Sequence, residues 1–306
     1  MKSRKKSKIW LRVALITFLI ILIGSSAYGY TIYQSLTTTI ETMHEPIERK
    51  LSTIRIEEVT LTKKEPFSVL MLGVDERKDD RGRSDTLIVL TVNPNQNSVK
   101  MLSIPRDTRT SIIGYNIDDK INHAYAFGGI EMSMATVEKF LNIPIDYYIK
   151  INMEGFEEIV DALGGISIIN DLDFSSDGIH FPEGEITLNG KEALTFSRMR
   201  YEDPRGDFGR QLRQRQIIQA ILKEGASFSS LTNFREIFKA LGSNIKTNLI
   251  FDEMTDIQKN YRSAAKQVEQ LSISGKGTMI NEIYYLIISE EEKERIQDEL
   301  RNHLEI

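Results

Sequence analysis

The sequence predicts an α/β sandwich: a central mixed β-sheet flanked by helices, preceded by one transmembrane helix. Three observations carry that expectation. Short, branched apolar runs recur between residues 67 and 104, helical repeats opened by capping side chains follow them, and an uncharged stretch stands behind a basic N-terminus. At 306 residues, 41% hydrophobic and 27% charged, the chain is long enough to bury a substantial core. It contains no cysteine, which removes disulfides, thiolate metal sites and cysteine nucleophiles, so packing must hold the fold.

Taken in order, Lys2, Arg4, Lys5, Lys6, Lys8 and Arg12 precede the uncharged stretch 13–30, and the first acidic residue is Glu41. As a helix that stretch rises about 27 Å, close to the hydrocarbon thickness of a bilayer, and Trp10, Tyr28 and Tyr30 sit where interfacial aromatics belong. The pattern predicts a cytoplasmic tail over 1–12, an anchor over 13–30 and everything else outside. The apolar run is longer than a signal-peptide core, and Ser25-Ser26-Ala27 is a poor cleavage site, so the anchor is read as uncleaved. Residues 31–65, polar and Thr-rich, read as a stalk, with the folded unit expected over 66–306.

Within that unit, 67–74, 87–92 and 99–104 read as buried strands, the last two joined by the turn Asn93-Pro94-Asn95. Ile130, Met134, Val137, Phe140 and Leu141 repeat at helical spacing over 129–141. A strand over 145–151, a helix capped by Asn152 and ending at Gly164-Gly165, and a strand over 166–169 give strand-helix-strand alternation. Asn189 caps a helix through Ser197, and Asp207 a longer one through Lys223. Further helices are expected from Thr232 and Phe251, a strand over 280–288, and a last helix behind the capping box Ser289 to Glu292.

Charge narrows the function. Without its six N-terminal basic residues the chain carries 33 Lys+Arg against 44 Asp+Glu, a formal charge of −11, which argues against nucleic acid as a partner. The arginines are nevertheless concentrated: of 17 beyond residue 40, 11 fall within 75–109 and 198–215. A positive focus in a negative domain suits a compact anion.

Three constellations carry chemistry. Asp75-Glu76-Arg77 and Arg83-Ser84-Asp85 flank the loop between the first two strands, at a sheet end where ligands bind; Asp75 and Asp85 as paired carboxylates suit Mg²⁺, or Mn²⁺ in its place. Taken as sequence alone, the intervening charges equally describe a solvated turn. Ile104-Pro105-Arg106-Asp107 closes the third strand, with Pro105 ending the ladder. Ser197-Arg198-Met199-Arg200 and the run 207–214 supply Arg210, Arg213 and Gln214 at i, i+3, i+4, read as one phosphate-facing patch, with no acidic residue from Phe208 to Gln219. Asn122-His123-Ala124-Tyr125 reads as capping and packing, with lining of the pocket as the alternative. His44, His123, His180 and His303 lack metal-ligand spacing, and no nucleotide-binding or serine-elbow motif is present.

Five strings, Phe67-Ser68-Val69-Leu70-Met71-Leu72-Gly73-Val74-Asp75-Glu76-Arg77, Arg83-Ser84-Asp85-Thr86, Ser103-Ile104-Pro105-Arg106-Asp107-Thr108, Lys120-Ile121-Asn122-His123-Ala124-Tyr125 and Ser197-Arg198-Met199-Arg200, together resemble the LytR-CpsA-Psr family. The resemblance covers residues 66–225 by motif. It implies a phosphotransferase that moves wall teichoic acid or a related anionic glycopolymer from undecaprenyl pyrophosphate to peptidoglycan, with the polyprenyl chain in an apolar tunnel. It further implies that Asp75 and Asp85 hold Mg²⁺, and that Arg83, Arg106, Arg198, Arg200, Arg210 and Gln214, joined by Arg77, contact the pyrophosphate. A muramic-acid C6 hydroxyl would then attack phosphorus, with Arg106 and the metal stabilising charge and Asp75 or Asp107 taking the proton. Two readings stay open beside it: a hydrolase of the same lipid, and a wall-polymer-binding regulator without turnover.

Overall fold

The computed structural model describes residues 2–49, 52–75, 82–225 and 234–306. Helix α1 (Lys2–Met43) contains a stretch, Val13–Met43, long and apolar enough to cross a membrane. Five strands of the central sheet come from β1 (Phe67–Val74), β2 (Ser84–Asn93), β3 (Ser98–Ser103), β6 (Tyr147–Asn152) and β11 (Ile245–Thr247), and β12 (Val268–Leu271) is the sixth. Between them come the ribbon β4 (Arg109–Ile112) and β5 (Ile117–Lys120), and helices α2 (His123–Leu141) and α3 (Met153–Ala162). Next come β7 (Ile166–Asn170), β8 (Phe174–Ser176), β9 (Ile179–Phe181), β10 (Gly184–Leu188), α4 (Gly190–Arg198), α5 (Asp207–Gly225) and α6 (Phe234–Asn244). After β11 run α7 (Phe251–Asn260), β12, β13 (Lys276–Ile280), β14 (Ile283–Ile287) and α8 (Glu290–Leu304).

The sheet order is β11-β6-β1-β2-β3-β12, antiparallel at β1/β2, β2/β3 and β6/β11 and parallel at β1/β6 and β3/β12. Helices cover both faces, so the mixed sheet flanked by helices is as expected. The directions bring the carboxyl ends of β1, β3 and β6 and the amino end of β2 to one rim. On one face Leu70, Leu72, Val89 and Leu102 pack against Met134, Val137 and Phe140 of α2 and Ile296 and Leu300 of α8. The opposite face packs Phe67, Val69 and Tyr147 against Leu249 and Tyr261.

A second, smaller core holds Ile166, Ile168, Phe174, Phe181, Phe196 and Ile217. The strand expected over 166–169 forms as β7, but outside the central sheet. It pairs antiparallel with β10, and only alternate residues, Ile166, Ile168 and Asn170, are buried. A strand in the middle of a two-faced sheet would be buried on both sides. The strand expected over 280–288 is one half of the hairpin β13–β14, which touches the segment after β3 through a bridge from Leu286 to Thr108, while the polar edge strand β12 carries no apolar signal.

The segment 31–65, expected as a stalk, meets the domain from Tyr33, whose ring lies edge-on to Phe251 at 5.8 Å. Thr39, Ile40 and Leu61 are buried, His44 bridges to Thr247, Arg49 pairs with Glu138 and Arg55 with Asp146. The boundary expected at Pro66 is therefore not where packing begins. Helix α2 starts six residues earlier than its apolar repeat and bends at Gly128-Gly129, where Gly129 takes a φ of +65°.

Candidate functional site

The rim is built from strand ends. Asp75 follows β1, and its amide donates to the Arg83 carbonyl at 3.3 Å, which closes the connecting loop. Arg77 lies outside the described residues. Gly73 pairs with Thr86 and Val74 with Ser84, so Asp85 is the extra residue of a β-bulge. A bulge turns a side chain away from the ladder's alternation, and this one aims a carboxylate across to β3. There Arg106 donates from Nη1 to Asp85 Oδ1 at 2.6 Å.

Asp107 is the hub of the next group. Lys120 Nζ donates to its Oδ1 at 2.7 Å, and Arg106 Nε and Arg200 Nη2 each stand 3.9 Å from its Oδ2. Its carbonyl accepts from the Leu286 amide of β14 at 2.9 Å, which fixes the backbone as well. Asn189 and Glu192 form a capping box that starts α4, and α4 ends at Arg198. Buried Met199 then lets the two flanking arginines serve neighbouring acids: Arg198 Nη2 is 3.9 Å from Asp75 Oδ1, and Arg200 reaches Asp107. Arg210, on the first turns of α5, pairs with Asp207 at 2.6 Å.

The electrostatics separate these cations. Burial works against the charge of Arg106, but Asp85 and then Asp107 outweigh it and hold the guanidinium above its ordinary pKa. Arg210 is pushed the other way, by burial first and by the charge of Arg106 and Arg200 against the help of Asp207 and Asp85. Its Nε is buried and has no partner among the described residues. A buried charged donor without an acceptor is costly, and an anion in the rim would supply one. Ser84 Oγ, Thr108 Oγ1 and Asn122 Oδ1 are also buried without partners among the described residues.

Beside this polar rim, a narrow open-mouthed cavity of about 50 Å³ lies between the sheet and α3, α4 and α5. Met71, Ile88, Ile151, Phe156 and Ile218 make its apolar wall, while Gly73, Thr86, Ser197 and Gln214 join it to the rim.

Of the residues expected from sequence, Asp75, Asp85, Arg106, Asp107, Arg198, Arg200 and Arg210 thus meet at one rim, with Gln214 on the cavity wall. Arg83 is exposed and reaches the group through its backbone. Arg213, expected in the same patch as Arg210, is not there. It is fully buried, bonded to Asp203 and to the carbonyls of Phe196 and Met199, with the Phe174 and Phe196 rings against it. Lys120 joins the site without a signal in the sequence, because lysine at the end of a short polar strand carries no periodicity. Asn122 sits at the start of α2 but makes no side-chain cap bond, contrary to the capping role expected of it. Among the described residues no three His, Asp or Glu side chains gather as a ready metal cage. Two carboxylates on neighbouring strand ends do fit a hard cation that retains waters and takes phosphate oxygens.

A family model described as the LytR_cpsA_psr family matches residues 30–302. The chain belongs to the LytR_cpsA_psr family. A relative from Bacillus cereus, a polyisoprenyl-teichoic acid–peptidoglycan teichoic acid transferase TagU, is 53% identical over 288 residues, 94% of this chain and 95% of its own length. The crystal structure of Bacillus subtilis TagU superposes with a TM-score of 0.64 at 52% identity, covering 79% of this chain and 98% of that one. The family protein YwtF (TagT), solved with bound octaprenyl pyrophosphate lipid, gives 0.68 at 30% identity, covering 86% of this chain and all of that one (100%). The LytR_cpsA_psr match begins inside α1, in keeping with the packing of residues 39–65 on the domain.

Proposed function

We propose that this LytR_cpsA_psr protein transfers an anionic glycopolymer of the teichoic-acid class from a polyprenyl-pyrophosphate carrier to peptidoglycan, forming a phosphodiester. The observation that carries the reading is the convergence of Arg106, Arg198, Arg200 and Arg210 with Asp75, Asp85 and Asp107 at the mouth of an apolar cavity. Guanidinium forks suit the diphosphate, and the cavity suits the first isoprene units of the carrier. TagU of Bacillus cereus is named for this transfer, and YwtF binds a polyprenyl pyrophosphate.

Asp75 and Asp85 would hold Mg²⁺, which when bound supplies charge to the diphosphate oxygens. Arg106, Arg198, Arg200 and Arg210, with Arg77 and Arg83 from the connecting loop and Gln214 from the cavity wall, bind the diphosphate and stabilise the charge that develops on it. Asp107 orients Arg106 and Arg200 toward that charge. In this reading α1 spans the membrane with its basic end in the cytoplasm, and the domain faces the wall, where carrier and acceptor both lie.

The test is transfer by the full chain in lipid vesicles, from a synthetic polyprenyl-diphosphate-linked teichoic acid to peptidoglycan. Covalent attachment that stops on metal chelation and returns with Mg²⁺ is expected. Release of free polymer without attachment would establish the hydrolase instead, and polymer that is held but never released or attached would establish a binding protein.

A further inference from the structure

We propose that His123, oriented by Asp119, takes the proton from the attacking hydroxyl of the acceptor glycan. The inference rests on the transferase reading and adds to it the acceptor side of the site. Both carboxylates expected to serve as base are committed elsewhere. Asp107 is bonded to Lys120 and flanked by Arg106 and Arg200, while Asp75 stands beside Arg198 at the position assigned to the metal.

His123, the first residue of α2, is differently placed. Its Nδ1 is 2.7 Å from Asp119 Oδ2. Asp119 is itself held: its Oδ1 accepts the Tyr285 hydroxyl at 3.2 Å and the Lys120 amide at 2.8 Å. A carboxylate fixed on Nδ1 places the proton there and leaves the lone pair on Nε2, the orienting arrangement that base catalysis by imidazole requires. Both side chains are sheltered but reachable, with relative exposures of 18% and 17%.

Position ties the pair to the rim. Lys120, between the two, reaches Asp107, and the Asn122 amide donates to the Arg106 carbonyl at 3.4 Å. The neighbourhood also suits a sugar. Phe127 meets the His123 ring edge-on at 5.9 Å, and Tyr115, half exposed, stacks on Phe127 at 4.5 Å. Aromatic faces beside paired acid and base side chains are what a pyranose ring with several hydroxyls can use. Among the described residues Lys120 and Arg109, the latter paired with Asp118, both lie near the ring of Tyr285, the residue whose hydroxyl donates to Asp119.

In the step, the acceptor O–H bond breaks and its proton passes to Nε2 as the oxygen bonds to the phosphorus bearing the polymer. The bond from that phosphorus to the bridging oxygen breaks, and its electron pair leaves with the polyprenyl phosphate. The imidazolium, paired with Asp119, then returns the proton to water.

The experiment compares the full-length protein with His123→Gln and Asp119→Asn in the vesicle assay, across pH, together with binding of an unreactive polyprenyl diphosphate. His123→Gln is expected to lower transfer by about 10²-fold or more and to flatten the acidic limb of its pH profile, with donor binding unchanged. Asp119→Asn should lose less and keep a shifted limb. Wild-type transfer with His123→Gln equal to it in rate and profile would overturn the inference alone, as would a loss of donor binding parallel to the loss of rate. Absence of transfer by the wild type would overturn the transferase reading and the inference with it.

Discussion

Arg210 and Arg213 stand one turn apart on α5, both buried, and do opposite things. Arg213 has its guanidinium saturated by Asp203, two backbone carbonyls and two aromatic faces, in the middle of the smaller core. Among the described residues Arg210 has one carboxylate partner and a buried Nε with none. The difference teaches how to tell a structural arginine from a binding one in this fold: by what is left unsatisfied, since residue type, burial and helix are shared. Asp203 explains the contrast physically. It folds beneath α5, its pKa brought down to about 2 because the bonds from Arg205 and Arg213 outweigh the cost of its burial, and it draws Arg213 inward.

Breaking the saturated side should have the largest effect. Arg213→Ala leaves Asp203 short of a buried partner and should cost about 3–5 kcal/mol of stability, read from denaturant unfolding of the folded domain in the full chain. If that variant unfolds like wild type, Arg213 is not the structural member of the pair. On the rim side, Arg106→Ala should lower polymer transfer by about 10²–10³-fold while leaving the unfolding curve in place, and a stability loss matching that of Arg213→Ala would erase the distinction. Gly209→Ala sharpens it from between. A Cβ there would meet Asp203 Oδ2 at 1.9 Å, so the substitution should cost about 1–3 kcal/mol by displacing the acid that holds Arg213. Unchanged stability would mean that Asp203 is free to move.

The smallest expected effect comes from mild acid and spares both arginines. His303 is buried with Thr91 Oγ1 2.7 Å from Nδ1 and Ser98 Oγ 2.9 Å from Nε2, and burial, with the charge of Lys100, brings its pKa down to about 4. The unfolded chain therefore takes up this proton first, and stability should fall as pH drops from about 6.5 toward 4, by about 1 kcal/mol between about pH 7 and 5.5. The contribution of Asp203, a depressed carboxylate, is present above its unfolded value near 3.8 and is lost only as pH falls toward about 2. Thermal melts of wild type and His303→Gln over that range check the order; a wild-type curve flat from pH 7 to 5 would remove His303 from the account.

Much of this was legible in the sequence where a local rule acts. Strand β1 is legible residue for residue as 67–74, because a short, nearly continuous apolar run ending in Asp75 suits a buried strand with its acid at the rim. The cap residues Asn189 and Ser289 mark their helices correctly for the same reason, but the box expected at Ser289 is only half made, because Glu292 accepts from Ser274 instead of returning to the Ser289 amide. What escaped depends on partners far away in the chain. The bulge that aims Asp85 at Arg106 is a property of the register between two strands, and β7 leaves the central sheet because β10 offers it a ribbon. The inward turn of Arg213 needs Asp203 and the missing side chain of Gly209, neither visible in an i, i+3, i+4 count. Lys120 and the Asp119–His123 pair lie in a short polar ribbon whose importance comes only from where it is folded.

The measurement that bears most directly on the central claim is a crystal structure of this protein with a polyprenyl diphosphate and Mg²⁺. The account predicts the diphosphate within hydrogen-bonding distance of Arg106, Arg200 and the Nε of Arg210, the metal on Asp75 and Asp85, and the prenyl chain along Met71, Ile88 and Ile218. A diphosphate bound away from that rim, with Arg210 Nε still lacking an acceptor, would contradict it.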